Sequence, residues 1–179
     1  MTERHYELTT ETKVVDGVTL YRIRATKDLP HHAVKAGDLG GWIEKYENVR
    51  DAAWVAYDAQ VYGNARVWGN ARVCGNAQVY GNAQVWGNAQ VYGNASIQKT
   101  EDHLTVGPAL SSGRFLTAYR TSAGSVEVVT GCFTGSLEEL KQAVDKTHAS
   151  NPKAHKQYNL FIDLIKGNFE EPQDDQPTD

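Results

Sequence analysis

The sequence predicts a mainly β protein: a parallel β-helix of about three 18-residue coils, between an N-terminal β cap and a C-terminal α+β domain. Three observations lead to this prediction. An aliphatic residue recurs at every sixth position from Ile43 to Ile97, and a small residue, usually alanine, stands two positions before it. Gly-Asn separates the hexads in six copies, from Gly63-Asn64 to Gly93-Asn94. A period of six does not fit the 3.6-residue turn of an α-helix, and repeated Gly-Asn would destabilise one.

Each hexad has the composition of a short strand followed by a corner. In Ala-x-Val the alanine and the valine point to the same side, because side chains alternate along a strand. Glycine and asparagine tolerate left-handed backbone conformations better than other residues, so Gly-Asn can turn the chain. Three corners close a triangle of 18 residues, and stacked triangles pair parallel strands about 4.8 Å apart.

This array, residues 43–98, resembles the left-handed β-helix of hexapeptide-repeat proteins. The resemblance implies left-handed coils. It also implies assembly, since proteins of this kind are commonly homotrimers packed side by side. We therefore expect a homo-oligomer, and a trimer in particular.

The residue that follows each valine is predicted to point outward, which sorts the aromatic residues onto separate faces. Tyrosine falls above tyrosine and tryptophan above tryptophan, while Cys74 lies on the face of Tyr92. Such stripes either stack within one chain or form a contact with another, since monomers rarely expose long apolar stripes. We predict an oligomer or partner interface at five residues: Tyr62, Trp68, Tyr80, Trp86 and Tyr92.

Residues 1–42 are predicted to form the N-terminal β cap. They alternate between apolar and polar residues around Asp16-Gly17, which is typical of a hairpin turn. Three glycines follow at Gly37, Gly40 and Gly41, but their spacing matches neither a P-loop nor a dinucleotide-binding loop. We interpret this stretch as a lid over the open end of the solenoid.

Residues 99–169 are predicted to form the C-terminal α+β domain. Three strands, "HLTVGP", "GRFLTAYRT" and "SVEVVTGCF", precede a helix that begins at Ser136, with Glu139 completing a capping box. Asn151-Pro152 is typical of the start of a second helix. A domain of about 70 residues is marginally stable alone, so we expect it to pack on the solenoid or on other copies.

Composition limits the remaining possibilities. The net charge is −4, yet residues 170–179 carry five acids and no base, which predicts a disordered acidic tail on a body of about +1. No apolar run suits a membrane span or a signal peptide, so we expect a cytoplasmic protein with free thiols. No CxxC or Cys/His cluster indicates a metal, and no cofactor is predicted.

Three segments together carry a second resemblance: "AGDLGGWIE", the "VYGNA" array and "TGCFTGSLEELKQAVDKTH". They resemble hexapeptide-repeat proteins of phages and prophages whose function is uncharacterised. The resemblance implies an accessory protein that acts in the cytoplasm of the host cell, and it brings no agreed activity.

Enzymatic functions find little support in the sequence, and no catalytic residue is predicted. Acyltransferases share the hexapeptide repeat, but they typically need a histidine on or near the helix and an extruded loop, and residues 49–98 contain neither. Cys132 precedes a helix that could lower its pKa, with His103 or His148 as a partner, but a free cysteine is more often a small apolar residue. Acids and bases balance in residues 43–98, which argues against mimicry or binding of DNA by the rod.

Binding functions remain open. We predict a non-enzymatic scaffold that counters host defence by sequestering a small nucleotide signal or by blocking a host protein; a structural phage protein is the further alternative. Arginine forks, hydroxyls and helix N-terminal amides suit phosphates. The predicted ligand-binding residues are Ser111, Ser112, Arg114, Arg120, Thr130, Cys132 and Thr134.

Overall fold

The N-terminal segment forms a β-hairpin that continues into the solenoid. The computed structural model describes residues 4–170. Strands β1 (Tyr6–Val15) and β2 (Val18–Ala25) pair antiparallel around Asp16-Gly17, where both residues have positive φ, as the sequence predicted. Strand β2 pairs antiparallel with β3 (Leu39–Ile43). Strand β3 in turn runs parallel to Gln60–Val61, the next strand on the same face of the solenoid. The cap therefore extends one sheet of the solenoid as well as closing its end.

The predicted β-solenoid of about three turns with an 18-residue repeat is confirmed. Its two-residue strands are β4 (Trp54–Val55), β5 (Gln60–Val61), β6 (Arg66–Val67), β7 (Arg72–Val73), β8 (Gln78–Val79), β9 (Gln84–Val85), β10 (Gln90–Val91) and β11 (Ser96–Ile97). They lie on three faces. The first face contains β3, β5, β8 and β11, the second contains β6 and β9, and the third contains β4, β7 and β10.

Register follows directly from the period of the sequence. Each strand from β3 to β8 pairs in parallel with the strand 18 residues later, so that Val55 lies beside Val73 and Val61 beside Val79. The alanines and valines of the repeat are fully buried, and the corner glycines take φ values of 58° to 76°. Asparagines stack at the corners, where Asn64 donates to Asn82 at 3.2 Å. The repeat thus uses small apolar residues for its core and Gly-Asn for its corners.

The C-terminal segment is a four-stranded antiparallel sheet with two helices. The strands are β12 (His103–Val106), β13 (Leu116–Arg120), β14 (Val126–Thr130) and β15 (Phe133–Gly135), in that order. Helices α1 (Leu137–Thr147) and α2 (Pro152–Phe169) follow. The predicted caps are present: Ser136 and Glu139 form a capping box, and Asn151 accepts from the backbone of Ala154 at 3.1 Å. Strand β15 was not predicted as a separate strand.

This sheet closes the far end of the solenoid. The amide of Gln90 donates to Thr117 Oγ1 at 3.0 Å, and the amide of Ser122 donates to the carbonyl of Asn94 at 2.9 Å. Tyr119 and Val129 belong to the same hydrophobic core as the repeat valines. Tyr6 and Ile23 do so at the other end. The solenoid core is therefore continuous with both flanking segments.

Two sequence predictions concern the ends and the membrane. Of the predicted acidic tail, residues 171–179 lie outside the described residues. Neither helix within residues 4–170 is both long enough and apolar enough to cross a membrane.

Three buried histidines make stability depend on pH. Burial lowers the pKa of His5, His32 and His103, which hydrogen-bond the carbonyls of Ala53, Ala52 and Thr100. As pH falls below the ordinary histidine value of about 6.5, the unfolded chain binds more protons than the folded chain, so stability decreases. We expect a lower melting temperature at about pH 5.5 than at about pH 7.5. Thermal unfolding measures this, and replacing all three histidines by glutamine should flatten the dependence; an unchanged slope would contradict the assignment.

Candidate functional site

A cleft lies over the third face of the solenoid, between the two flanking segments. Its volume is about 330 Å³. Side chains from three distant parts of the chain meet there. They are His31 and His32 from the N-terminal segment, Asn70, Arg72, Asn88, Gln90 and Tyr92 from the solenoid, and Arg114, Phe115 and Gly131 from the C-terminal segment.

Arg72 occupies the floor of the cleft. It precedes Val73 in β7, and since Val73 is in the core, strand alternation directs Arg72 outward. Its Nε is buried and has no hydrogen-bond partner within residues 4–170. The neighbouring Cys74 is buried, which raises the pKa of its thiol to about 11, so the thiol is neutral and does not compensate the arginine. The Arg72 guanidinium therefore lies beside a neutral thiol, and its buried Nε–H has no oxygen acceptor within residues 4–170.

Amide groups beside Arg72 are oriented by their neighbours. Asn70 Nδ2 donates to Asn88 Oδ1 at 3.5 Å, and the Tyr92 hydroxyl donates to Gln90 Oε1 at 3.2 Å. Both amide oxygens on the third coil are thereby occupied. The nitrogens of Asn88 and Gln90 have no partner in the part of the chain that the structure describes, so the floor presents donors.

The histidine wall comes from a short 3₁₀ turn, Pro30–His32, that ends at Ala33 with a φ of 55°. His32 is buried, and its Nε2 donates to the carbonyl of Ala52 at 2.8 Å. Burial lowers the pKa of His32, and the nearby positive charges of Arg72 and His31 lower it further. His31 is exposed at the rim. The His32 imidazole is therefore uncharged at neutral pH.

The opposite wall carries an exposed arginine and an aromatic ring. Arg114 lies against Gly131, where an added Cβ would lie 3.0 Å from Arg114 Cδ. Gly131 turns the chain between β14 and β15 with a φ of 59°. Phe115 is half-buried next to Arg114. Glycine at 131 thus leaves room for the stem of the arginine.

Of the seven ligand-binding residues predicted from the sequence, the structure puts Arg114 alone in this cleft. Ser111 and Ser112 lie close to the hydroxyl of Tyr158, at 3.4 Å and 3.5 Å. Thr130, Cys132 and Thr134 lie on the β14–β15 hairpin, around the turn that contains Gly131.

The structure places Arg120 outside this cleft. The two residues are six positions apart in an extended segment, which separates them by about 20 Å. Arg120 forms an ion pair with Asp102 at 3.6 Å and donates to the carbonyl of Phe169 at 3.3 Å. Through these two contacts, Arg120 links the C-terminal sheet to the end of the solenoid and to α2.

The predicted aromatic stripes stack, but they are not uniformly exposed. Tyr62 and Tyr80 stack at 5.5 Å, as do Trp68 and Trp86. Tyr62 is buried under the hairpin turn, where its hydroxyl donates to Asp16 at 3.2 Å. Tyr62 and Cys74, which were predicted to point outward from the coil, are thus covered by flanking segments and neighbouring side chains.

The second face keeps an exposed aromatic residue. Trp86 is 46% exposed. One of its ring faces stacks on Trp68, and His103 packs edge-on at 5.6 Å. The ladder consequently presents ring edges, which suit a protein surface better than a flat ligand. The role of this face in an assembly stays a prediction.

Sequence reasoning missed the histidines that contact the solenoid. His103 stands six residues after Ile97, so it continues the period and could have been found by extending the repeat. His32 carries no such signal, since its contact with Ala52 bridges segments that are distant in sequence. Residues 49–98 contain no histidine, but histidines from the flanking segments contact the solenoid.

Cys132 shows no catalytic contacts. It is exposed in the β14–β15 turn, while His103 packs on Trp86 and His148 stacks on Tyr158 at 5.0 Å. The Ser136–Glu139 capping box already occupies donors at the start of α1. Within residues 4–170, no group of three or more His, Cys, Asp or Glu side chains is arranged to hold a metal ion.

Comparison with known families identifies the repeat. Residues 59–75 match the family described as YdcK Beta solenoid repeat. The match covers one coil of the solenoid and shows the type of repeat. A search among curated proteins found no match.

The chemistry of the cleft follows from its donors. Two arginines and two histidines line it, and none of its lining side chains within residues 4–170 is acidic. Arginine guanidinium and amide N–H groups bind oxyanions, and a partly enclosed site strengthens such contacts. The arrangement suits a small, acceptor-rich anion.

Proposed function

We propose that this protein is a non-enzymatic scaffold that binds a small phosphate-bearing ligand in the cleft over the third face. The supporting observation is the convergence of Arg72, Arg114 and the two histidines on a cleft without an acidic lining side chain. In this proposal the solenoid supplies a rigid floor, and the flanking segments supply the walls. We propose further that the ligand is a nucleotide signal, which the protein sequesters. We also propose that the protein comes from a phage and acts against host defence.

Replacing Arg72 or Arg114 by alanine is expected to abolish binding of phosphate compounds. The test is thermal unfolding of the full chain with inorganic phosphate, pyrophosphate, and linear and cyclic nucleotides. A ligand at 100 times its Kd stabilises the folded state by about 2.7 kcal/mol, which raises the melting temperature measurably. Both variants lose a cation that no acid in the cleft balances, so the shift should disappear.

Arg66→Ala is the matched control. Arg66 occupies the same hexad position as Arg72, but it is exposed on the second face. It should retain the full ligand-induced shift. Absence of a shift with every compound, or an equal loss in the Arg66 variant, would refute the proposal. Acetyl-CoA belongs in the panel, because a shift with that compound alone would favour the acyltransferase alternative.

We propose a second function for the second face of the solenoid. The surface around Trp68 and Trp86 contacts another copy of the chain or a protein partner. Trp86 is 46% exposed, whereas the other aromatic residues that directly follow a repeat valine are half-buried or buried. Trp86→Ser should convert a homo-oligomer, expected to be a trimer, into monomers, measured by sedimentation equilibrium. Tyr57→Ser, also exposed, should leave the mass unchanged. A monomeric wild-type protein would refute self-assembly.

A further inference from the structure

The two ends of the cleft differ in chemistry, and this difference specifies the ligand. Arg72 lies on the second coil. It is next to His32, which belongs to the N-terminal segment and hydrogen-bonds the carbonyl of Ala52 on the first coil. Tyr92 lies on the third coil, and Phe115 lines the opposite wall of the same cleft. Successive coils are about 4.8 Å apart, so a cationic end and an aromatic end lie within the length of one small ligand.

At the cationic end, the Arg72 guanidinium can form two parallel hydrogen bonds to one phosphoryl group. Arg72 Nε is buried without a partner, and the charge of Arg72 is close enough to His32 to lower the pKa of that imidazole. Guanidinium Nε and Nη groups bind two oxygens of one phosphoryl group in parallel, which a lysine ammonium cannot do. A phosphoryl group in the cleft would meet the guanidinium through its Nη groups, which can also bind two oxygens in parallel.

The aromatic end is built for a flat ring. The Tyr92 hydroxyl is fixed by Gln90 at 3.2 Å, and Phe115 is half-buried in the facing wall. Rings of this kind stack on planar groups. Glycine at 131 leaves the space that the Arg114 stem occupies.

The size of the cleft matches a ligand of one such unit. Its volume of about 330 Å³ is at the lower end of the range of about 300–1,000 Å³ for ligand pockets. One phosphorylated ring compound fits this volume better than two joined nucleotides.

We infer that the ligand is a phosphomonoester attached to a flat ring, such as a nucleoside monophosphate, with its phosphoryl group on Arg72 and its ring between Tyr92 and Phe115. This inference rests on the proposed anion-binding function and adds orientation and size to it. Arg72 sets specificity through its fork, whereas Arg114 contributes charge from an exposed position.

The first test uses the wild-type chain and a series of ligands in calorimetric titrations. Adenosine monophosphate should bind at least about tenfold more tightly than inorganic phosphate or adenosine, because only it fills both ends. A phosphorylated non-nucleotide ring, phenyl phosphate, separates ring chemistry from nucleotide identity. A cyclic dinucleotide should bind more weakly than the monophosphate; tighter binding of the dinucleotide would overturn the inference.

The second test uses conservative variants. Arg72→Lys should weaken adenosine monophosphate binding by about tenfold to a hundredfold, since a charged hydrogen bond is lost while the charge remains. Arg114→Lys should change it by less than about threefold. Phe115→Leu should lower affinity for the monophosphate toward that for inorganic phosphate, with phosphate binding unchanged. Arg66→Lys controls for the substitution itself, and the melting temperatures of all variants establish that they fold.

The outcomes separate the two proposals. If no phosphate compound binds the wild-type chain, the proposed function fails. If inorganic phosphate binds but the ring adds no affinity, or if Arg72→Lys binds like the wild type, anion binding stands and the present inference is wrong.

Discussion

Gly41→Ala is expected to lower the free energy of unfolding by about 3 kcal/mol or more, at the upper end of the range for overpacked cores. Gly41 is buried in β3, where the first coil closes beneath the cap. A Cβ at this position would lie 2.6 Å from the carbonyl oxygen of Ala59 and 2.7 Å from Val55 Cγ1. The Ala59 carbonyl also accepts from the amide of Trp42 at 2.9 Å, so relaxation would strain a ladder hydrogen bond. Equilibrium urea unfolding of the variant and the wild type measures the loss.

Gly87→Ala separates this steric effect from backbone strain. Gly87 has a φ of 68°, but no atom lies within 4 Å of a Cβ added there. The expected loss is about 1 kcal/mol, from the left-handed conformation alone. Equal losses in the two variants would show that β3 can move away from the first coil, contrary to the tight closure described above.

The same glycines illustrate what the sequence could and could not predict. The spacing of Gly37, Gly40 and Gly41 excludes a phosphate loop, and the structure gives the positive reason for two of them: backbone and side-chain atoms of the first coil approach too closely for a Cβ. The sequence suggested a lid, but it could not reveal that β2 and β3 extend the first face as an antiparallel sheet. Strand pairing between different segments depends on contacts that no local pattern encodes.

The solenoid itself was predictable because its contacts are regular. Each strand from β3 to β8 pairs with the strand 18 residues later, so one period defines fold, register and core. The two helix caps were predictable for a related reason, since Ser136–Glu139 and Asn151–Ala154 are contacts between residues three positions apart. Local and periodic interactions can therefore be recognised from the sequence.

The candidate site was much less predictable, because it is neither local nor periodic. Arg114 is among the ligand-binding residues predicted from the sequence, whereas Arg72 is not. Nothing in its hexad, "NARVCG", distinguishes its surroundings from those of Arg66 in "NARVWG". The difference arises from the flanking segments, which cover the third face at Arg72 and leave Arg66 exposed.

The second large effect is expected at the other end of the core. Tyr119→Ala should lower the free energy of unfolding by about 3–5 kcal/mol, the range for truncating a buried large aromatic residue. Tyr119 is fully buried against the last coil, and its hydroxyl donates to Glu127 at 2.6 Å. Truncation removes the ring that closes the core and leaves the Glu127 carboxylate without this donor. Urea unfolding measures the total loss.

Two further variants identify the origin of that loss. Tyr57→Ala removes the same ring from a side chain that is 65% exposed, so it should change stability by less than about 0.5 kcal/mol. Tyr119→Phe keeps the ring and removes only the hydroxyl, so it should lose no more than about half as much as alanine. Because β13 closes the last coil, hydrogen exchange in the alanine variant should accelerate more at Val91 and Ile97 than at Val55. Uniform acceleration along the solenoid would instead mean that its coils open as one unit, with Tyr119 contributing to the core but not to a separate end closure.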